Sequence, residues 1–220
     1  MMHAYQLEFI DLAMSREALR FGRFTLKSGR ESPYFFNAGL FSDGASVAAL
    51  GRCYAAALAA SGLEYDMLFG PAYKGIPLAT ATVIALADHH GRSVPYAFNR
   101  KEAKDHGEGG NIVGSALRGR VVIVDDVISD GAAKREAIDL IHKAGATPAA
   151  ILLALDRQER GQGDRSAVQE IYAAHGVRCV SILTLGQLLS ALENPADGRA
   201  RVSAQQLTAL KTYRGQFGVS

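Results

Sequence analysis

Residues 121–124 read Val-Val-Ile-Val and run directly into Asp125-Asp126. Four consecutive β-branched residues predict a strand. Because the run is continuous rather than alternating, both faces of that strand must be covered. Covering both faces requires helices on each side of a sheet, and the flanking sequence supplies them. Apolar strand patterns recur at 66–69, 94–98, 149–155 and 178–183, with helical patterns at 75–88, 132–144 and 167–175 between them. Strands alternating with helices at this spacing give βαβ units around a central parallel sheet flanked by helices, an α/β fold.

Two segments depart from that alternation, and further elements flank it. Residues 23–37 read as a hairpin with its turn at Lys27-Ser28-Gly29-Arg30. Residues 100–111, RKEAKDHGEGGN, contain almost no apolar side chain and predict a long polar loop. The first helix is expected over 4–20, with Leu7, Ile10, Met14 and Ala18 on one face. Ser42 or Asp43 caps a second helix reaching about Ala60 and closed by Gly62. Residues 193–220 read as a linker and a terminal helix over 204–213.

A chain of 220 residues, 48% of them apolar, suits one domain over 1–220 with a full-sized core. A formal net charge of +2 is too small to suggest a nucleic-acid or membrane-surface partner, so any basic site must be local. The two cysteines, Cys53 and Cys179, form no CxxC pair and read as free thiols of a reducing compartment. The start MMHAYQLEFI lacks a basic region followed by a long apolar run. No stretch reaches the ~18 apolar residues of a membrane span. The expected address is the cytoplasm.

In a parallel sheet, ligands gather outside the carboxyl ends of the strands. Here that end carries Asp125-Asp126, then Val127-Ile128, then the turn Ser129-Asp130-Gly131 and a helix beginning at Ala132-Ala133. Free N–H groups at a helix start suit a phosphate, and Gly131 lets the backbone approach it. The two carboxylates can accept hydrogen bonds from vicinal ribose hydroxyls and stabilise positive charge at an anomeric carbon. The segment is neither a GxxxxGK[ST] loop nor a GxGxxG fingerprint. It can grip a phosphorylated ribose at both ends.

The segment VVIVDDVISDGAA (121–133) resembles the phosphoribosyl-diphosphate signature of the type I phosphoribosyltransferases. Three more segments, FTLKSGRESPYFFN (24–37), GPAYKGIPLAT (70–80) and NRKEAKDHGEGGN (99–111), are similar in order and spacing to the orotate-using members of that family. The resemblance runs from about residue 5 to 190. It implies the type I phosphoribosyltransferase fold, with a base-binding hood built from about 1–40 and part of the C-terminal region. It implies transfer of ribose 5-phosphate from phosphoribosyl diphosphate to orotate, with Mg²⁺ held mainly by diphosphate, ribose and water. It also implies a homodimer in which a mobile catalytic loop, 100–111, reaches the neighbouring site.

The same resemblance assigns roles. Arg100, Lys101, Lys104 and His106 form a cationic lid over the diphosphate, with Gly107, Gly109 and Gly110 as hinges. Such a lid excludes water from a step prone to hydrolysis. Lys27, Tyr73 and Lys74 contact phosphoribosyl diphosphate, as does the turn from Asp125 to Ala133. Orotate, a planar ring bearing a carboxylate, needs an apolar face and a cation. Phe35 and Phe36 can supply the face, Arg157 the cation, and Ser129 a polar contact. Being adjacent on a strand, the two phenylalanines point to opposite sides. The turn departs from the family's commoner Thr-x-Gly-Thr, with Ser129 and Ala132 at the two threonine positions and Asp130 at x. Losing one hydrogen bond to a charged group at Ala132 costs roughly 1.5–3 kcal/mol, and Asp130 adds a negative charge near the phosphate, so weakened but not abolished binding of phosphoribosyl diphosphate is expected.

Overall fold

A computed structural model describes residues 2–26, 29–104, 110–128, 131–161, 163–195 and 197–219. The Val121–Val124 run lies at the centre of a six-stranded sheet. In chain order the elements are α1 (Ala4–Ser15), β1 (Leu19–Thr25), β2 (Glu31–Phe36), α2 (Gly44–Ala60), β3 (Met67–Gly70), α3 (Gly75–His90), β4 (Tyr96–Lys104), β5 (Gly110–Gly114), β6 (Arg120–Asp125), α4 (Ala132–Lys143), β7 (Thr147–Asp156), α5 (Ala167–His175), β8 (Arg178–Thr184), α6 (Leu185–Glu193) and α7 (Ala204–Phe217). The sheet order is β5-β4-β3-β6-β7-β8, and β1-β2 form a separate hairpin. Every pairing from β4 to β8 is parallel. Among the described residues of this sheet, only the edge pair β4-β5 is antiparallel.

Alternate residues along the buried strands feed two cores, as the pleat requires. Leu68, Val122, Val124, Leu152 and Ile182 join the core with α1, α2, α3, α6 and α7. Phe69, Val121, Ile123, Ile151 and Leu153 join the core with α4 and α5. Helices therefore cover both faces, which is the arrangement the continuous apolar run demands.

Local chemistry sets most boundaries. Asp43 caps α2 by accepting from Ser46 N at 2.8 Å, and Gly62 follows its end with φ +66°. Ser166, Thr184 and Ser203 cap α5, α6 and α7, each in a reciprocal box with a glutamine three residues on.

Four boundaries differ from expectation. The first helix stops at Ser15 instead of Arg20, because Glu17 takes φ +55° and the chain turns into β1. Its buried face is Gln6, Phe9, Ile10 and Ala13, while Ala18 is buried just ahead of β1. The polar stretch 100–111 is not loop throughout. β4 continues to Lys104 and β5 begins at Gly110, so residues 105–109 alone stand between the two strands. Helix α6 occupies 185–193, where no element was expected, and α7 runs four residues past Tyr213.

Candidate active site

The sheet order places the reversal of winding between β3 and β6. From β3 the chain moves outward to β4, while β6 lies on the other side and leads to β7 and β8. The carboxyl ends of β3 and β6 thus frame the crevice where ligands of open α/β sheets bind. One wall is Pro71-Ala72-Tyr73-Lys74 and the other is Asp125-Asp126. The walls approach closely because Gly70 and Gly75 lack side chains. A Cβ on Gly75 would lie 2.8 Å from Val124 O and 2.5 Å from Pro71 Cδ. Asn99 of β4 steadies the first wall by accepting from Ala72 N at 2.8 Å. The Ala72-Tyr73 peptide is cis.

A salt bridge crosses the crevice. Lys74 Nζ, at the N-cap of α3, lies 2.7 Å from Asp126 Oδ2. Asp126 Oδ1 accepts from Val127 N at 2.8 Å, and Asp125 Oδ1 accepts from Asp126 N at 2.9 Å. Both acids are buried. Asp125 pairs with Lys134 through its Oδ2, and Lys134 Nζ also donates to Val127 O at 2.8 Å. Behind the pair, Tyr54 of α2 donates to the Asp125 carbonyl at 2.8 Å. Burial pushes the Asp125 carboxyl above its ordinary range. The Lys134 ammonium pulls it back, and the Asp126 charge pushes it up again. Burial and the two acids also hold the Tyr54 hydroxyl well above its usual value, so it remains a donor.

Gly131 adopts the left-handed conformation, φ +75°, and opens α4 at Ala132-Ala133. Ile128 is buried and Val127 half-buried. On the β4 side, Lys101 Nζ lies 5.0 Å from the centre of the Tyr73 ring, which is itself exposed. Arg100 is half-buried on the same strand. Lys27, His106, Ser129, Asp130 and the Lys104 side chain lie outside the described residues.

A third strand end completes the row. Arg157 follows β7, the neighbour of β6, and the hairpin reaches it. Arg157 Nε donates to Tyr34 Oη at 3.0 Å and to Glu159 Oε1 at 3.1 Å. Glu159 also accepts from Tyr34 Oη at 2.6 Å and Tyr213 Oη at 2.9 Å, while Arg30 Nη1 lies 3.5 Å away. Burial alone would lower the Arg157 pKa. Tyr34 and Glu159 outweigh it, so the guanidinium is held above its ordinary value. The adjacent phenylalanines diverge as their strand geometry requires. Phe36 packs against Phe9 and Phe41 in the core, and Phe35 stacks on Phe24 beneath Arg20.

Lys134, Tyr54 and Asn99 are structural partners that the motifs alone did not single out, whereas Glu159 is readable from sequence as a salt-bridge partner of Arg157. For Lys134 a signal existed, because it shares the helical face of Ala137, Ile138 and Ile141, where an unpaired lysine would be costly.

A doubly covered parallel sheet, an acid pair ending its central strand and a lysine facing it across the switch point define a phosphoribosyl transferase domain. That family matches residues 42–180. An orotate phosphoribosyltransferase of Aliivibrio fischeri (strain MJ11) is 59% identical over 218 residues, 99% of this chain and 100% of that protein. One of Salmonella newport (strain SL254) is 57% identical over the same shares. The crystal structure of the Francisella tularensis orotate phosphoribosyltransferase aligns with a TM-score of 0.85 at 37% identity, covering 96% of this chain and 99% of that one. The chain belongs to the orotate phosphoribosyltransferase family.

Proposed function

We propose that the chain transfers ribose 5-phosphate from phosphoribosyl diphosphate to orotate, giving orotidine 5′-monophosphate and diphosphate, a step of pyrimidine biosynthesis. The observation that carries this reading is the crevice between β3 and β6, where Lys74 and Asp126 face each other at 2.7 Å. A cation that suits diphosphate and a carboxylate that suits a ribose hydroxyl stand on opposite walls. Full-length identity to proteins named for the orotate reaction supports the choice of base.

The residue roles follow from charge. The transition state resembles a ribosyl oxocarbenium ion leaving an anionic diphosphate. Carboxylates are needed on the ribose side and cations on the diphosphate side. Asp125 and Asp126 take the first task. Lys74, Arg100 and Lys101 take the second, together with Lys27, Lys104 and His106, and Tyr73 contacts phosphoribosyl diphosphate beside them. The turn from Val127 through Ser129, Asp130 and Gly131 to Ala132 and Ala133 receives the 5-phosphate. Phe35, Phe36, Ser129 and Arg157 receive orotate, in a hood formed by about 1–40 and the C-terminal region. The link from Tyr34 to Glu159 to Tyr213 supports such a hood by tying hairpin and α7 to the end of β7. Loop 100–111 covers the neighbouring site in a cytoplasmic homodimer.

Mg²⁺ belongs to the proposal. Among the described residues, no three His, Cys, Asp or Glu converge as metal ligands, and each acid of the pair already holds a lysine. This donor set fits a hard ion carried by diphosphate, ribose and water rather than by a protein cage. Once bound, the ion would neutralise part of the diphosphate charge.

The test measures diphosphate release with orotate, uracil and purine bases, with and without Mg²⁺, using Lys104→Ala as a control. Consumption of orotate alone, lost without Mg²⁺ and reduced in the variant, is expected. Binding of phosphoribosyl diphosphate without turnover of any base would overturn the reading in favour of a sensor.

A further inference from the structure

We propose that Lys134 is a positioning residue of this transferase: an enclosed counter-ion that fixes Asp125 and the turn after it, leaving Lys74–Asp126 as the ion pair a substrate can open. The inference rests on the transferase reading.

The two ion pairs at the end of β6 are unequal. The Lys74 side chain is 58% exposed, whereas the Lys134 side chain is 8% exposed. A diphosphate carries more charge than a carboxylate, so it can draw the exposed ammonium off Asp126 with a small side-chain movement. Lys134 has no such freedom. It projects from the buried face of α4, beside Ala137, Ile138 and Ile141. Burying a lysine costs desolvation that an apolar residue would avoid, so its placement matters here for what it holds. Its ammonium spans the strand end and the turn, pairing with Asp125 Oδ2 and donating to Val127 O at 2.8 Å. Asp125 Oδ1 in turn accepts from Asp126 N at 2.9 Å. This chain of contacts fixes the backbone from which the Asp126 carboxylate projects. When substrate takes Lys74, Asp126 is released towards the ribose hydroxyls while Asp125 stays held by Lys134.

Asp125 is surrounded by groups from several elements. Asp126 is next to it, Lys134 comes from α4, and Tyr54 of α2 donates to its carbonyl. Lys74, at the start of α3, reaches Asp126. Arg135 of α4 lies over Gly131. Asp156 ends the neighbouring strand β7, and both Asp156 and Lys134 influence the thiol of Cys179 in β8. Lys134 is the largest influence holding the Asp125 carboxyl down against burial. Without it, Asp125 protonates at higher pH, so an activity that requires the carboxylate loses its acid side sooner.

Turnover with orotate is measured from pH 5 to 9 for the wild type, Lys134→Met, Lys134→Gln and Lys134→Arg, with calorimetric binding of phosphoribosyl diphosphate and a thermal melt for each. In Lys134→Met and Lys134→Gln, the acid limb of kcat/KM for phosphoribosyl diphosphate is expected to rise by about one pH unit or more. The KM for orotate stays within about threefold. Lys134→Arg, which keeps the charge, is expected to hold the limb near its wild-type position. A folded Lys134→Met or Lys134→Gln with an unmoved limb overturns the proposal. If neither variant folds, amine labelling of the wild-type protein decides. Lys74 should label in the free protein and be protected by phosphoribosyl diphosphate, with Lys134 unlabelled in both states. Labelling of Lys134 in the bound state would overturn the inference. A wild type that binds phosphoribosyl diphosphate but never consumes orotate would sink the transferase reading alone, because binding and labelling still test Lys134.

Discussion

Glu159 draws partners from three separated parts of the chain: Arg30 and Tyr34 of the hairpin, Arg157 after β7 and Tyr213 of α7. Its side chain is largely enclosed, and its charge is balanced by Arg157 and Arg30, with the two tyrosine hydroxyls donating to it. Removing one partner of such a pair strands the other. Glu159→Ala is therefore expected to destabilise by about 3 kcal/mol, at the lower end for a broken buried pair because Arg157 keeps some solvent access. Urea unfolding would read this directly. Because Arg157 is the cation assigned to the orotate carboxylate, the KM for orotate should rise about tenfold or more while that for phosphoribosyl diphosphate changes little. Equal changes in both constants would detach Arg157 from orotate. The thiols make an independent case. Burial pushes Cys53 and Cys179 each up to about 12. At pH 8 a thiol of that pKa is thiolate in about one molecule in ten thousand, and the thiolate is the reactive form. The native protein should therefore release no thionitrobenzoate from Ellman's reagent in minutes, and two equivalents after denaturation, as each thiolate forms a mixed disulfide with the reagent. Raised folded pKa values mean that this contribution to stability is complete below the unfolded value of ~8.5. It is lost as pH rises from there through about 12. Denaturant midpoints should fall above pH 9, and less steeply in Cys53→Ala.

At the scale of elements, the parts of the fold legible in the sequence are those whose cause is local. Asp43 and Gly62 bracket α2 in the sequence as they do in space, and Val121–Val124 reads as a doubly covered strand because it is one. Elements sustained by a neighbour were not legible. β4 extends through polar residues to Lys104 because β5 returns alongside and pairs with it, and no apolar pattern announces that pairing. Helix α1 ends early through the left-handed backbone of Glu17, which no glycine marks. Helix α6 does carry a local signal, the Thr184–Gln187 capping box before an apolar run. The site divides in the same way. The acid pair and Lys74 lie on contiguous motifs, whereas Lys134 and Glu159 gain their meaning only once α4 and α7 are packed. The close approach of β3 to β6 is likewise invisible in sequence, and it yields a prediction. An alanine at Gly75 would place a methyl 2.8 Å from Val124 O and 2.5 Å from Pro71 Cδ, so the wall carrying Lys74 must shift. Overpacking of this kind costs about 1–3 kcal/mol, or roughly 2–4 °C in Tm for each kcal/mol at this chain length. The KM for phosphoribosyl diphosphate should rise with it. An unshifted melting curve would mean that the two walls yield more easily than their backbone contacts imply.

Across the whole molecule, the two ends of the chain meet over the carboxyl edge of the sheet. The hairpin arrives through Tyr34. The C-terminal helix arrives through Tyr213, the Glu159–Gly218 bridge and Val219 N, which donates to Gln158 O at 2.8 Å. Arg30 lies 4.3 Å from the centre of the Phe217 ring, so hairpin and helix also touch each other directly. The helix thus braces the proposed base-binding side, while the β3–β6 crevice is framed by β3, α3 and β6, with Tyr54 of α2 and Lys134 of α4 behind the acid pair. Deleting 204–220 separates the two. It removes Tyr213 from Glu159 and uncovers Tyr34, which is fully buried and meets the Tyr213 ring edge-on at 6.1 Å. The shortened chain should keep calorimetric affinity for phosphoribosyl diphosphate within about threefold of the full chain. Its KM for orotate should rise at least about tenfold, the size expected when a cation loses the partners that orient it. Loss of both affinities together, with the parallel sheet still folded by circular dichroism, would show that the C-terminal helix also supports the phosphate side of the crevice.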